Sequence, residues 1–126
     1  KHMKSVDHEV WFKIDHVNPK DAKKINRINL SIASLRKNLK NSLSISPTIV
    51  QTCLLKINRE LPSNNFVNEY IKFLRPYASQ LKAIHLYSMV RPSQQKTDLQ
   101  IEALDKDELQ IIADKMNVFK TKLECY

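Results

Sequence analysis

The stretch Glu9–Asp15, EVWFKID, alternates apolar residues with other types, and this alternation decides the predicted fold. Thr48–Leu55 and Ala83–Arg91 repeat the pattern. Side chains on a β-strand point to opposite faces with a period of two, so each stretch predicts a strand with one apolar and one polar face. In a parallel sheet that helices cover on both faces, the strands instead consist of nearly continuous runs of apolar residues. We therefore predict helices on one face and a second face that lines water, a ligand cavity or a missing partner.

Helical patterns separate these strands. Asn18-Pro19 is a start signal, because Asn caps a helix and Pro suits its first position. Asp105 and Glu108 have the spacing of a capping box. The predicted helical regions are 20–27, a longer helix from Asn29 or Ser31, a helix from Pro62-Ser63 that stops at Pro76, and a helix from Asp105 through Lys115.

Strands that alternate with helices indicate βαβ units, a parallel sheet and right-handed crossovers. The predicted fold class is α/β: a small parallel sheet of three to four strands with helices on one face, like half of a (β/α) barrel. We expect one domain over residues 1–126, with a βαβαβα core at 9–117. Residues 1–8 are expected to be a remnant of a preceding helix or linker, and 118–126 an edge strand or tail.

Composition excludes several functions. The chain has no glycine, so it lacks the phosphate-binding loops in which backbone approaches phosphate closely. It has two cysteines, no long apolar run and no signal-peptide pattern, which predicts a reducing, cytoplasmic location without a membrane span. The net charge is +8, but the lysines are spread along the helices and no nucleic-acid motif accompanies them. A solvated surface is therefore favoured over nucleic-acid binding.

Five segments together carry a family resemblance that runs from about Val10 to Met116. In this order and spacing, they resemble the C-terminal half of a radical S-adenosylmethionine protein, and are most similar to the Fe–S oxidoreductase branch of that superfamily. Arg91-Pro92 is the sharpest of these marks. The segments are VWFKID at 10–15, INR at 25–27, PTIVQT at 47–52, HLYSMVRPS at 85–93, and 104–113.

The resemblance implies a full or partial (β/α) barrel. In the family, a loop with three close cysteines holds a four-iron, four-sulfur cluster that binds S-adenosylmethionine, since such clusters need thiolate ligands. This sequence has neither that loop nor the family's Gly-rich segment, which belong to the first half of the barrel. S-adenosylmethionine and the cluster are therefore expected in the intact parent protein. We expect this fragment to hold neither by itself and to be inactive alone. Its expected partner is the missing N-terminal half-barrel or a second copy, and the substrate of the parent, small or macromolecular, is unknown.

The resemblance also implies which residues contact the cofactor, and it places no catalytic or metal-binding residue in this chain. Plainer alternatives remain open. A Lys13–Asp15 pair facing solvent, Arg27 as a helix cap and Gln51 in contact with water are all ordinary surface features. Arg91 would equally serve as an ion pair that anchors its loop. The implied contacts are Lys13, Asp15, Arg27, Gln51, Tyr87 and Arg91.

Two further side chains invite a chemical interpretation. Cys53 has no neighbouring base in the sequence, so a small core residue is favoured over a nucleophile. His85 is the one histidine on a predicted strand, and a single histidine makes no metal site. The alternative to the enzyme fragment is a non-enzymatic basic module that binds an acidic partner or nucleic acid.

Overall fold

A computed structural model describes residues 9–95 and 98–126, so the predicted remnant at 1–8 lies outside the described part of the chain. The strands are β1 (Val10–Lys13), β2 (Thr48–Cys53), β3 (Leu55–Ile57), β4 (Ala83–Tyr87), β5 (Ile101–Ala103) and β6 (Leu123–Cys125). The α-helices are α1 (Pro19–Asp21), α2 (Ile32–Ile45), α3 (Asn64–Leu74) and α4 (Lys106–Met116). A π-helical turn (Ala22–Asn26) follows α1, and short 3₁₀ segments cover Ala78–Gln80 and Pro92–Gln95.

The main sheet has four strands in the order β1-β2-β4-β6, and every neighbouring pair is parallel. This confirms the predicted α/β class and the parallel pairing. The fourth strand is the edge strand expected near the C-terminus, although it occupies only Leu123–Cys125 of the stretch 118–125. Strands of this sheet that follow one another along the chain are neighbours, and each crossover between them contains one of the helices α2, α3 and α4.

The core lies between the sheet and these three helices. Val50 and Ile84 are register partners on β2 and β4, and both are buried. They belong to one apolar cluster with Leu39 of α2, Tyr70 of α3 and Ile112 of α4. Burying each large apolar side chain contributes roughly 1.5–3 kcal/mol relative to leaving it in water. All three long helices therefore pack on the face that carries Val50 and Ile84, as the alternation predicts.

The helix starts follow the capping chemistry of the sequence. Ser31 rather than Asn29 caps α2, because its hydroxyl accepts the N–H of Ser34 at 3.2 Å. Ser63 caps α3 in the same way. At α4 the capping box is complete: the Asp105 carboxylate accepts the Glu108 N–H at 2.8 Å, and the Glu108 carboxylate accepts the Asp105 N–H at 3.0 Å.

Two predicted strands end earlier than expected. β4 stops at Tyr87, so Arg91 lies in a loop instead of on a strand. Thr48–Leu55 is divided at Leu54 into β2 and β3. β3 pairs antiparallel with β5 and forms a small ribbon beyond the carboxyl ends of the main strands. Neither three-residue strand is long enough to show a period of two, which is why the sequence gives no sign of the ribbon.

Within the described ranges, no helix is both long enough and apolar enough to cross a bilayer.

Candidate functional site

The carboxyl ends of β1, β2 and β4 lie side by side, since the strands are parallel and in register. The segments that follow them surround a cavity of about 280 Å³ at this edge. Polar and apolar walls both contribute. Its lining includes Asp15, His16, Asn26, Cys53, Phe66 and Arg91.

A second cavity, of about 360 Å³, adjoins the first. Asp15, His16 and Arg91 line both cavities. Lys13 and Arg27 complete the polar wall of the second. The structure therefore brings Lys13, Asp15, Arg27 and Arg91 together around one cavity, although these residues are far apart in the sequence.

Asp15 is the most closely held of these side chains. Its Oδ1 accepts the backbone N–H of Cys53 at 2.9 Å, and its Oδ2 lies 3.5 Å from the Lys13 ammonium. The Asp15 side chain is only 12% exposed, whereas that of Lys13 is 37% exposed. Removal from water raises the pKa of Asp15, and the hydrogen bond from Cys53 opposes that rise. The site thus keeps a carboxyl group poorly solvated beside two cavities.

Arg91 is fixed through its backbone. Its N–H donates to the Gln94 side-chain oxygen at 2.9 Å, and the Gln94 amide donates to Asn26 at 3.0 Å. Gln94 is 7% exposed, so it is a buried amide that joins the segment after β4 to the π-helical turn after β1. Sequence reasoning missed Gln94 and Asn26, because only the tertiary fold brings these segments into contact. No ion pair anchors Arg91 among the recorded salt bridges of the described residues, so its loop is held by hydrogen bonds to the amide.

His16 is a second residue that the sequence reasoning passed over. Its Nδ1 is buried and has no hydrogen-bond partner among the described residues. Most buried polar side-chain atoms in proteins are hydrogen-bonded, so an orphaned nitrogen at a cavity wall calls for an explanation. His16 lines both cavities, but its Nδ1 is enclosed by protein, so other atoms of the residue form the cavity wall.

The π-helical turn shapes the same region. Lys24, Ile25 and Asn26 of this turn line the first cavity. Arg27 ends the turn with φ 57°, a left-handed conformation that glycine usually provides. Arg27 thus caps the carboxyl end of this turn, which was the plainer alternative to a cofactor contact, and it also lines the second cavity. π-Helical turns are frequent at functional sites in proteins.

Gln51 and Tyr87 lie elsewhere, on the sheet face opposite the helices. We call this the open face. Lys13, Gln51 and His85 are register partners across β1, β2 and β4, and therefore share one face. Tyr87 lies two residues beyond His85, on the same side. The open face consists of Trp11, Lys13, Ile49, Gln51, Cys53, Ala83, His85, Tyr87, Glu124 and Tyr126.

The open face is less polar than the alternation predicts. Trp11 and Tyr126 contact the His85 ring from two sides, with ring centroids 5.1 and 4.7 Å away. His85 Nε2 also lies 3.1 Å from the Glu124 carboxylate, and the residue is only 7% exposed. Ile49, the register partner of Trp11, is 4% exposed. Aromatic rings therefore shield part of the sheet face opposite α2, α3 and α4 from water. The alternation of polar and apolar residues along the strands does not reveal this shielding.

The chemistry of the remaining candidates is limited. Burial raises the pKa of the Cys53 thiol to about 11, and the nearby Asp15 carboxylate adds to this effect. A thiol with so high a pKa holds little thiolate at neutral pH, so Cys53 is a poor nucleophile. Burial similarly raises the pKa of Tyr87 to about 12, with Asp15 and Cys53 contributing. Among residues 9–95 and 98–126, no group of three or more His, Cys, Asp or Glu side chains is placed to hold a metal ion.

No protein-family model, curated protein or solved structure matches this chain. Functional inference therefore rests on the chemistry of the two cavities and the open face.

Proposed function

We propose that the chain is the C-terminal half of a radical S-adenosylmethionine protein, and that the carboxyl edge of its sheet binds the cofactor. One observation carries this proposal. Lys13, Asp15, Arg27 and Arg91, which the resemblance implies as cofactor contacts, line a single cavity at the ends of parallel strands. In (β/α) barrels, ligands bind at that end of the strands.

The residues present suit the cofactor chemically. S-adenosylmethionine carries a carboxylate, an ammonium, a positively charged sulfur, ribose hydroxyls and an adenine ring. The guanidinium groups of Arg27 and Arg91 match a carboxylate, because they offer paired donors. The largely buried Asp15 carboxylate would accept hydrogen bonds from an ammonium or a ribose hydroxyl in addition to the one that it accepts from Cys53.

The first cavity adds an apolar wall for the less polar parts of such a ligand. Leu54, Phe66 and Met89 line it together with Asp15 and Arg91. Ligand sites commonly combine apolar surface with a few polar groups that fix orientation. Because residues of this chain line both cavities, we infer that it binds the cofactor by itself, which the resemblance alone does not lead us to expect.

The residues of this chain do not fit the iron–sulfur cluster. A cluster needs at least three thiolates in the family, and the sequence has only Cys53 and Cys125. The described residues also contain no group that would hold a metal ion. The proposed role is therefore confined to binding and orienting the cofactor and a substrate. Gln51 and Tyr87, also implied as cofactor contacts, lie on the open face and line neither cavity.

Binding is tested by titrating S-adenosylmethionine into the full chain by calorimetry and by amide NMR. We expect shifts at the amides of Asp15, Asn26 and Arg91. Replacing Asp15 by Asn removes a charged acceptor, and hydrogen bonds to charged groups contribute about 1.5–3 kcal/mol, so the dissociation constant should rise roughly tenfold to a hundredfold.

The matched control is Asp114→Asn. Asp114 is exposed on α4, where it accepts a hydrogen bond from Gln110. This variant should bind S-adenosylmethionine with the same affinity as the unsubstituted chain. The proposal fails if the parent chain shows no binding at millimolar cofactor, or if Asp114→Asn weakens binding as much as Asp15→Asn.

A further inference from the structure

A buried chain of hydrogen bonds runs from α3 to the end of β1. The Tyr70 hydroxyl lies 2.7 Å from the Thr52 hydroxyl, and the Thr52 hydroxyl donates to the Ile14 carbonyl at 2.7 Å. Ile14 and Tyr70 are 1% exposed and Thr52 is 0% exposed. Polar groups so deep in the core are costly unless each one is paired, so this arrangement is strongly specified.

The donor direction along the chain is fixed by elementary chemistry. A carbonyl oxygen only accepts, and a threonine hydroxyl has one hydrogen to give. Thr52 therefore gives its hydrogen to Ile14, and Tyr70 must donate to Thr52. Burial raises the pKa of Tyr70, so the phenol keeps the proton that this direction requires.

The chain ends where the backbone pairing of β1 with β2 also ends. The Ile14 N–H still donates to the Gln51 carbonyl at 2.9 Å, as expected for a parallel ladder. Beyond it, side chains pair the remaining backbone groups: Thr52 satisfies the Ile14 carbonyl, and the Asp15 carboxylate satisfies the Cys53 N–H. Thr52 thus holds the carbonyl of the Ile14–Asp15 peptide, and its neighbour Cys53 holds the Asp15 carboxylate.

We propose that Thr52 and Tyr70 are positioning residues for Asp15. By fixing the Ile14 carbonyl from the core side, they set the direction in which the Asp15 carboxylate projects toward the two cavities. Their role is mediated by the backbone, since neither Thr52 nor Tyr70 lines either cavity. The importance of this role for ligand binding rests on the proposed function, whereas the positioning itself does not.

The positioning is tested in the full chain without ligand, by following the Cys53 amide through a pH titration. In the unsubstituted chain, the proton chemical shift of the Cys53 amide should move downfield as Asp15 ionises, because this amide donates to the Asp15 carboxylate. Thr52→Val removes the donor to Ile14 and should abolish most of the pH-dependent shift. Thr52→Ser retains the hydroxyl and should restore it.

Tyr70→Phe removes only the outer member of the chain and should reduce the shift partially. Tyr77→Phe is the matched control, because it removes the hydroxyl of another buried tyrosine, whose ring packs on Phe73. It should leave the titration unchanged. If Thr52→Val does not fold, Tyr70→Phe and Tyr77→Phe decide the question by themselves.

A purely structural role predicts a different result. Thr52→Val and Tyr70→Phe would then lower the melting temperature while the Cys53 amide titrates as in the parent chain, and this outcome would overturn the proposal. A second arm measures S-adenosylmethionine affinity, which should fall in the same order of variants. If the Thr52→Val and Tyr70→Phe variants lose the pH-dependent Cys53 shift, but the unsubstituted chain binds no S-adenosylmethionine, the proposed function is refuted and the positioning role stands.

Discussion

The Asp15 carboxyl group experiences opposing influences on its ionisation. It is removed from water at the end of β1, and it lines both cavities. The ion pair with Lys13 and the Cys53 N–H favour its ionised form, but burial raises its pKa overall. Functional sites often retain residues that cost stability, because the same burial strengthens interactions with a ligand.

This pKa shift has a defined consequence for stability. The folded chain binds the Asp15 proton more tightly than the unfolded chain, so this residue's contribution falls as pH rises through its folded pKa and is fully present below its ordinary value of 3.8. Asp15→Asn should therefore raise the melting temperature at pH 7. At pH 3 the gain should largely disappear, because both states then carry a neutral group.

Thermal unfolding followed by circular dichroism at both pH values measures this difference. Asp114→Asn, on the exposed side of α4, serves as the control and should show no comparable gain at pH 7. A destabilised Asp15→Asn at neutral pH would show that the ionised carboxylate contributes net stability, contrary to the direction of its pKa shift.

Left-handed backbone positions are another residue-scale feature of this glycine-free chain. Arg27, Asn58 and Arg59 have φ of 57°, 52° and 68°. Asn is the non-glycine residue best suited to this region, so Asn58 is an ordinary occupant of it. Arginine is less usual there. A non-glycine residue in this backbone conformation destabilises the fold by about 1–3 kcal/mol. Arg27 adopts it at the wall of the second cavity.

At the scale of elements, the start of α4 connects the ribbon to the main fold. One Glu108 oxygen closes the capping box, and the other lies 3.0 Å from the Lys56 ammonium on β3. Ser88, just after β4, accepts the Leu104 N–H at 2.8 Å and donates to the Leu54 carbonyl. The ribbon above the first cavity is therefore attached at both of its strands.

Asp105→Ala should weaken this attachment. Loss of a helix N-cap typically costs about 1 kcal/mol. Here it leaves the Glu108 N–H without its acceptor, in the helical turn whose Glu108 carboxylate contacts Lys56. We expect a lower midpoint of urea unfolding, together with faster hydrogen exchange of the Lys56 amide on β3. Gln110→Ala, which removes an exposed contact within α4, should cost only a few tenths of a kcal/mol. Equal losses in the two variants would contradict a special role for the capping box.

At the scale of the whole molecule, the open face is the feature with the clearest consequence for association. Trp11 is 51% exposed and Tyr126 is 67% exposed, and both lie against His85 on the sheet face opposite α2, α3 and α4. Both outer strands, β1 and β6, also have one edge unpaired in the described structure. Unpaired edges and exposed aromatic surface both promote association with another chain.

We therefore expect the chain alone to associate with a second copy. Size-exclusion chromatography with light scattering should show a mass above that of one chain, rising with concentration. A buried aromatic anchor typically contributes 2 kcal/mol or more at an interface, so Trp11→Ser should weaken association by about thirtyfold or more. Ile111→Ser, at a residue that is 48% exposed on α4, is the control. A strict monomer at high concentration would rule out this form of assembly.

The sequence by itself determined the class of this fold. Three alternating stretches and the Ser31, Ser63 and Asp105 caps were sufficient to predict parallel strands with helices on one side, because periodicity and capping are local properties. The same alternation placed Lys13, Gln51 and Tyr87 on one face, as the register of β1, β2 and β4 confirms. Their assignment to the cofactor stays a prediction.

Only the tertiary structure decided how the candidate site is assembled. The His16 Nδ1 is buried without a hydrogen-bond partner among the described residues. Gln94 contacts Asn26 and Thr52 contacts Ile14, through hydrogen bonds between segments that are distant in the chain. Trp11 and Tyr126 shield His85 for the same reason. Burial and hydrogen bonding depend on which segments meet in space, and local patterns of polarity carry no information about that.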